Sequence, residues 1–493
     1  MPSEGDETSQ SDRQPSRLDN STLARIVGEA WADTIPAVIE DYIAIPALSP
    51  AFDSTWFDNG HLGRAVELVR GWCAARPIEG MTVTIQQLAD RTPIIVVEVQ
   101  AYPGPGSGAV ARDTVLLYGH VDKQPEMVGW SEGLGPWTPV RIGDRLYGRG
   151  GADDGYSAFA ALTAIEACQR AGGSHTRLIV LIEASEESGS IDLPAHLEVL
   201  GGRLGSVGLV ICLDSGCHDY QRLWTTTSLR GLVGLTLSVQ VLAHGVHSGA
   251  ASGIVPSSFR ILRTLLDRVE NSRTAMTLVP EMHVAIPAQR MREARDLAAL
   301  IGPPAGQLPL APGMRPTTDD PTEQILNGTW RPTMSVIAAG GLPAIGHGGN
   351  VLRPSTSIAL SFRTPPGVDP ERALGSLERI LTDDPPYGAR VEISHREGAW
   401  GWNAPTTAPW LARALSDASR RWFGANPGAS GEGGSIPFMA MLGRRFPLAQ
   451  FVVTGVLGPD SNAHGPDEYL HLPTAERLSL VIANVIDAHA SSR

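Results

Sequence analysis

Cysteine is scarce in this chain. There are four in 493 residues (Cys73, Cys168, Cys212 and Cys217), in mostly apolar surroundings and without a CxxC pairing. That argues against a disulfide framework and for buried free thiols in a reducing compartment, with the cytoplasm as the default. Long apolar runs are missing too. Nothing near the start has the apolar core of a secretion signal, and no stretch is long enough to span a bilayer, so no membrane partner is expected. A positive charge balance is also absent: 39 Lys and Arg against 52 Asp and Glu leave a net charge of −13. This argues against nucleic acid or an anionic membrane as a partner. No internal repeat is visible. What is present, 42% apolar and 18% charged residues, is the composition of a soluble globular protein. The length suits two domains.

Residues 1–19 are rich in Ser, Gln, Asp and Glu, lack aromatic residues, and read as a disordered tail. Helical spacing follows from Ser21 to before Pro46 and again over 60–75, and β-branched runs predict strands at 81–86 and 94–100. Three apolar strands then end in polar residues. The run 114–118 delivers His120 and Asp122, 178–182 leads into Glu186 and Glu187, and 209–213 ends at Asp214. With an Ala-rich helix over 157–171 between them, this pattern predicts an α/β sheet whose polar groups gather at its C-terminal edge. The texture changes after about residue 224. Strands are expected at 232–242, 335–338, 357–363 and 390–394, and helices at 257–269 and 370–381. The Pro-rich stretch 280–331 supports no assignment. The α/β texture returns near residue 407. The fold class expected is α/β: a discontinuous catalytic domain (20–225 and 400–493) with a mixed, mostly parallel sheet flanked by helices, interrupted by an inserted α+β domain at 226–399.

The stretch 146–156 reads Leu-Tyr-Gly-Arg-Gly-Gly-Ala-Asp-Asp-Gly-Tyr. Its glycines permit a sharp backbone path, with Asp153 and Asp154 inside it. Crowded carboxylates repel one another, and bound cations are the commonest reason to hold them together. Taken alone, a Gly/Asp loop is equally an ordinary turn. The candidate partners are His120, Asp122, Glu186, Glu187, Asp214 and the late His464. Singly, a buried histidine is usually a satisfied core residue and an acid pair a solvated face. Together they exceed one catalytic zinc, which takes three protein ligands and a water. They suit two divalent ions about 3.5–4 Å apart, bridged by a carboxylate and a water. Zinc fits the N/O donor mixture best, and manganese or cobalt would also be accommodated.

These motifs resemble those of the metallopeptidase family that includes carnosinase-type dipeptidases, aminoacylase, glutamate carboxypeptidase and succinyl-diaminopimelate desuccinylase. They are His120-Val-Asp122, Gly148-Arg-Gly-Gly-Ala-Asp153-Asp154, Glu186-Glu187-Ser-Gly-Ser, Asp214, His247-Ser-Gly and His464, in family order and extending over nearly the whole chain after the tail. Gln124-Pro125 and the long insertion favour the dipeptidase branch. The resemblance implies that His120 and Asp214 bind one ion, Glu187 and His464 the other, with Asp153 bridging. It makes Glu186 the general base and Asp122 the acceptor of a hydrogen bond from His120. It makes the insertion a lid and dimerisation domain, from which His247 reaches the partner subunit's site of a homodimer and stabilises the oxyanion. Arg363, Asn350, Gly433, Gly434 and Ser435 would bind the substrate, and the Asp153–Asp154 peptide would be cis.

The activity implied is hydrolysis of the amide bond of a dipeptide or small N-acyl amino acid by a hydroxide bridging two ions. Carboxypeptidase or N-acyl amino acid amidohydrolase action is the enzymatic alternative. A catalytically inactive binding relative is the non-enzymatic one, against which the complete ligand set argues. Two departures stand out. Gly155-Tyr156 replace a Lys-Gly pair common in relatives, removing a charge beside the ligands, and Gly431 stands where dipeptidases often carry arginine.

Overall fold

The computed structural model describes residues 18–105 and 113–492. Most of the expected tail lies outside them, but its last two residues belong to the fold. Leu18 is buried, and the Asp19 carboxylate caps the helix Asn20–Glu29 by accepting the Ser21 N–H at 3.0 Å. In chain order, β1 (Met81–Gln86), β2 (Ile94–Val99), β3 (Thr114–His120), β4 (Arg177–Glu183) and β5 (Val207–Cys212) come first. An insertion then carries β6 (Gly231–Gln240), β7 (Thr333–Gly340), β8 (Ser355–Thr364) and β9 (Arg390–Ala399), before β10 (Gln450–Val453) returns to the first sheet.

That sheet has the order β1-β2-β4-β3-β5-β10. The strands β4, β3, β5 and β10 run parallel, while β2 pairs antiparallel with β4 and with β1. It is the mixed, mostly parallel sheet expected. Strands covered on both faces read as continuous apolar runs, and every residue of β3 is buried. Val115 and Leu117 face a core built with the helices Asn20–Glu29, His61–Ala74, Ser157–Arg170 and Leu472–Ala490. Leu116 and Tyr118 face the opposite core, with Leu193–Leu200 and Pro437–Arg445. Both faces being filled, the chain exposes chemistry only at the strand ends. His120, Glu186, Glu187 and Asp214 leave β3, β4 and β5 at the same C-terminal edge.

The insertion forms its own antiparallel sheet, β7-β8-β6-β9. Buried residues alternate strictly along β8, and Val233, Leu235, Leu237 and Val239 of β6 pack under the helices Ser258–Leu266 and Pro370–Thr382. The edge strands β7 and β9 each pair with one neighbour, and β7 leaves Val336 and Ile337 exposed.

The unassigned stretch holds two helices, Ala288–Ile301 and Pro321–Thr329. Its pattern is obscured because the first helix buries an arginine: Arg290 pairs with Glu293 at 2.7 Å and donates to Ala404 O at 2.7 Å. Trp224, Trp330 and Trp402 are core residues. Among the described residues no helix is long and apolar enough to cross a membrane.

Candidate metal centre

His120 is the last residue of β3 and is fully buried. The preceding Gly119 is required, since a Cβ there would collide with Ser157 and Asp154. His120 Nδ1 lies 3.0 Å from the backbone carbonyl of Asp122. A carbonyl only accepts, so Nδ1 carries the proton and Nε2 is left as the electron-pair donor. Asp122 reaches the ring through its main chain at that distance, and its carboxylate also stands beside Nδ1, with Oδ1 at 3.5 Å. The same carboxylate accepts the N–H groups of Glu186 (3.1 Å) and Glu187 (3.0 Å), fixing the turn that presents both glutamates.

The ring's Nε2 faces Asp153 Oδ1 at 3.3 Å, Asp214 Oδ2 at 3.8 Å and Glu186 Oε2 at 4.0 Å. The other oxygen of Asp153 lies 2.9 Å from His464 Nε2, which in turn is 3.4 Å from Glu187 Oε2. Asp153 therefore divides its two oxygens between the two histidines. Two trios of donor atoms, His120/Glu186/Asp214 and His120/Asp153/Glu187, each lie within 4.8 Å of one another and could hold an ion; they share His120, whose one free nitrogen serves a single ion, and neither includes His464. The grouping differs from the expected pairs in placing Glu186 as well as Asp214 beside His120. The Asp153–Asp154 peptide is cis, as expected. Asp154 accepts the His120 N–H at 3.3 Å and stays out of both trios.

A metal fits this set. His120 Nε2 is buried without a hydrogen-bond partner among the described residues, and imidazole and carboxylate donors suit zinc. Electrostatics agree. Burial raises Glu186 well above the usual carboxylate range, and the charges of Asp214 and Glu187 add to it. Burial, with the charges of Asp153 and Glu432, pushes Asp214 up to about 7. Burial would also raise Asp153, but hydrogen bonds from His120 and His464 outweigh it and hold that carboxyl low. Metal uptake should therefore release protons. Asp214 rises from an ordinary 3.8 to about 7, so between those values the folded protein holds a proton that the unfolded chain has lost. Stability without metal falls as pH rises through that window, whereas metal affinity climbs. Calorimetric titration in buffers of different ionisation enthalpy checks this; uptake without proton release would contradict it.

The surroundings contain residues that the motifs did not reveal. Gln124 Nε2 donates to Glu187 Oε2 at 2.7 Å. Arg149 and Glu468 form a fully buried ion pair. Arg149 also donates to Gly465 O at 2.8 Å, while Glu468 accepts the Gly150 N–H at 2.8 Å. The pair joins the Asp153 loop to the His464 loop, where His464 itself has a left-handed φ of 64°. A charge four residues from each ligand candidate, in Gly-Arg-Gly and Glu-Tyr-Leu contexts, was the available signal.

The charge thought lost at Gly155 has a counterpart. A Cβ there would meet the Tyr42 ring, so a lysine at this position has no room. The chain's single lysine, Lys123, instead sits over that ring at 3.9 Å. It is fully buried, and donates to the carbonyls of Tyr42 (2.7 Å), Ile43 (3.3 Å) and Ile45 (2.8 Å). Three ammonium protons meet three carbonyls at a helix C-terminus, where a cation is favoured.

The remaining expected residues fall into two groups. Arg363, at the end of β8, donates to Ser435 Oγ at 3.1 Å. Arg230, unforeseen, lies close enough to Arg363 for the two charges to interact. It donates to Gly433 O and Thr333 Oγ1, both at 3.1 Å. Gly434 is the exposed residue between Gly433 and Ser435. His247 and Asn350 are neighbours of each other, with Ser248 N–H donating to Asn350 O at 2.8 Å. Both are exposed, and neither belongs to the metal-ligating trios.

Residues 116–488 match Peptidase family M20/M25/M40. A cysteinylglycine-S-conjugate dipeptidase of Corynebacterium striatum is 28% identical over 391 residues, 76% of this chain and 80% of that protein. The solved structure of the dipeptidase Dug1p from Saccharomyces cerevisiae matches with a TM-score of 0.71 at 19% identity, covering 97% of this chain and 99% of that one. The metallo-carboxypeptidase Sso-CP2 from Sulfolobus solfataricus also gives 0.71, at 16% identity, covering 92% and 98%. The shared fold therefore does not choose between dipeptidase and carboxypeptidase.

Proposed function

The chain belongs to Peptidase family M20/M25/M40, and on that premise we propose that it is a dipeptidase working with two divalent metal ions. His120, Asp153, Glu187, Asp214 and His464 hold the ions, with zinc suited best to the donor set. The observation that carries this reading is the division of Asp153 between His120 and His464, as a bridging ligand requires. When bound, the ions lower the pKa of a water and polarise the scissile carbonyl.

The chain's own residues do the rest. Glu186 takes a proton from the attacking water and passes it to the leaving amine. Burial and neighbouring charge make it a stronger base than a surface glutamate. Arg363, with Ser435 and the backbone of Gly433 and Gly434, receives the substrate carboxylate. The similarity to a cysteinylglycine-S-conjugate dipeptidase favours dipeptides over longer chains. A panel of dipeptides, tripeptides and N-acyl amino acids, assayed with each metal restored to the stripped protein, tests the reading. Preference for N-acyl amino acids or tripeptides over every dipeptide would overturn it.

The segment 226–399 is taken as a lid and dimerisation domain, supported by its separate sheet and core and by the exposed Val336 and Ile337 on edge strand β7. His247 and Asn350, exposed on it, act on the partner subunit's site, His247 by stabilising the oxyanion. Complementation checks this. Mixed dimers of Glu186→Ala and His247→Ala subunits should regain one working site, because only action across the interface pairs an intact Glu186 with an intact His247. Mixed dimers with no activity would place His247 in its own subunit's site, and a His247→Ala homodimer as active as the wild type would remove it from the chemistry. The free cysteines support a reducing compartment such as the cytoplasm.

A further inference from the structure

Glu432 ends the strand Gly428–Glu432 and opens the glycine-rich turn to Ser435. Its Oε1 accepts three hydrogen bonds, from Ser215 Oγ at 2.7 Å, Thr226 Oγ1 at 2.5 Å and Gly216 N–H at 3.4 Å. Its Oε2 receives none among the described residues, and no lysine, arginine or histidine there makes an ion pair with it. His218 lies within electrostatic range, and burial holds it below its ordinary value. Ser215 directly follows Asp214, so this carboxylate is fixed beside the metal centre with one oxygen open.

A charge count shows why that matters. The carboxyl groups of Asp122, Asp153, Asp154, Glu186, Glu187 and Asp214 already crowd the centre, against which two divalent ions would bring four positive charges. Glu432 adds one more carboxylate, half-buried, with which no lysine, arginine or histidine forms an ion pair among the described residues. Partly buried charges are ordinarily paired. Three residues further along, the polarity reverses. Ser435 meets Arg363, and Arg230 lies against Gly433. Neither guanidinium has a carboxylate partner among the described residues. Three residues span at most about 10 Å, and the two termini of an extended dipeptide lie about 7 Å apart. The span of the turn is therefore long enough for an open anion at one end and the Arg363 guanidinium at the other to meet a dipeptide's two charged ends.

We propose that the free oxygen of Glu432 accepts the α-ammonium group of the substrate, selecting dipeptides with a free N terminus over N-acyl amino acids. The inference rests on the dipeptidase reading and narrows it. An N-acyl amino acid satisfies Arg363 but leaves Glu432 unpaired, so the same site discriminates against it.

Alanyl-alanine and N-propionyl-alanine differ only in that ammonium group, and kcat/KM for both measures the discrimination. The metal-loaded wild-type enzyme should prefer alanyl-alanine. In Glu432→Gln that preference should fall at least about tenfold, the worth of one charge-assisted hydrogen bond, mainly through KM for alanyl-alanine. Glu432→Asp, which keeps the charge, should recover part of it. Dipeptide turnover with the wild-type preference kept in Glu432→Gln would overturn this inference alone. So would a parallel loss of both substrates in both variants together with metal. Turnover of neither substrate by the metal-loaded wild-type protein would overturn the dipeptidase reading, and this inference with it.

Discussion

Replacing Glu186 with alanine is expected to leave metal content near that of the wild type and to cut kcat by roughly 10²–10⁴-fold, the usual worth of a general acid–base group. The expectation follows from where the side chain is held. Asp122 accepts the backbone N–H groups of both Glu186 and Glu187, so the turn survives truncation of either side chain. Glu187 keeps its contacts with His464 and Gln124. The Glu186 carboxylate lies 4.0 Å from His120 Nε2, close enough to reach a water shared with the ions. Because that carboxylate also stands in one metal-ligating trio, the metal measurement is decisive. Lost turnover with both ions kept makes it the base. Loss of one ion in Glu186→Ala would make it a ligand, and full activity would remove it from the chemistry.

The second large effect is on stability. Arg149→Met is expected to lower the unfolding free energy by about 3–5 kcal/mol, the usual result of leaving one member of a buried ion pair without its partner. Glu468 would stay in place, still accepting the Gly150 N–H, but without a cation. Burial already raises its pKa to about 7 with Arg149 present, and removing the arginine raises it further. An acid whose folded value lies above its unfolded value costs stability above the unfolded value. The deficit should therefore be larger at pH 8 than at pH 5. Because Arg149 also binds Gly465 O, beside His464, metal content should fall as well. Denaturant midpoints at the two pH values, with metal analysis, check this. The double variant Arg149→Met/Glu468→Leu should regain much of the stability, since removing both charges leaves none buried. An unchanged midpoint in the single variant would mean that the pair is not a clamp.

What the sequence determined by itself was whatever local pattern dictates. Apolar runs flanked by Gly and Asp give strands ending in polar residues, and strands buried on both faces must be apolar throughout. So β1 was legible at both ends, and His120, Asp153, Glu186, Glu187, Asp214 and His464 could be chosen as one site from motif order before any distance was known. The helix Ala288–Ile301 was not legible, because its buried position 290 is an arginine whose partners, Glu293, Asn403 and Ala404, become neighbours only on folding.

Tertiary structure alone decided how the chosen residues work. It assigned the Asp122 carboxylate to two backbone N–H groups and its carbonyl to His120. It put Lys123 on the Tyr42 ring that leaves no room at residue 155, paired Arg149 with Glu468 across 319 residues, and left one oxygen of Glu432 open. Each is a hydrogen bond or charge between groups far apart in the chain or on its main chain. Local periodicity carries no signal for such contacts, because the requirement that buried polar groups be paired selects partners in space.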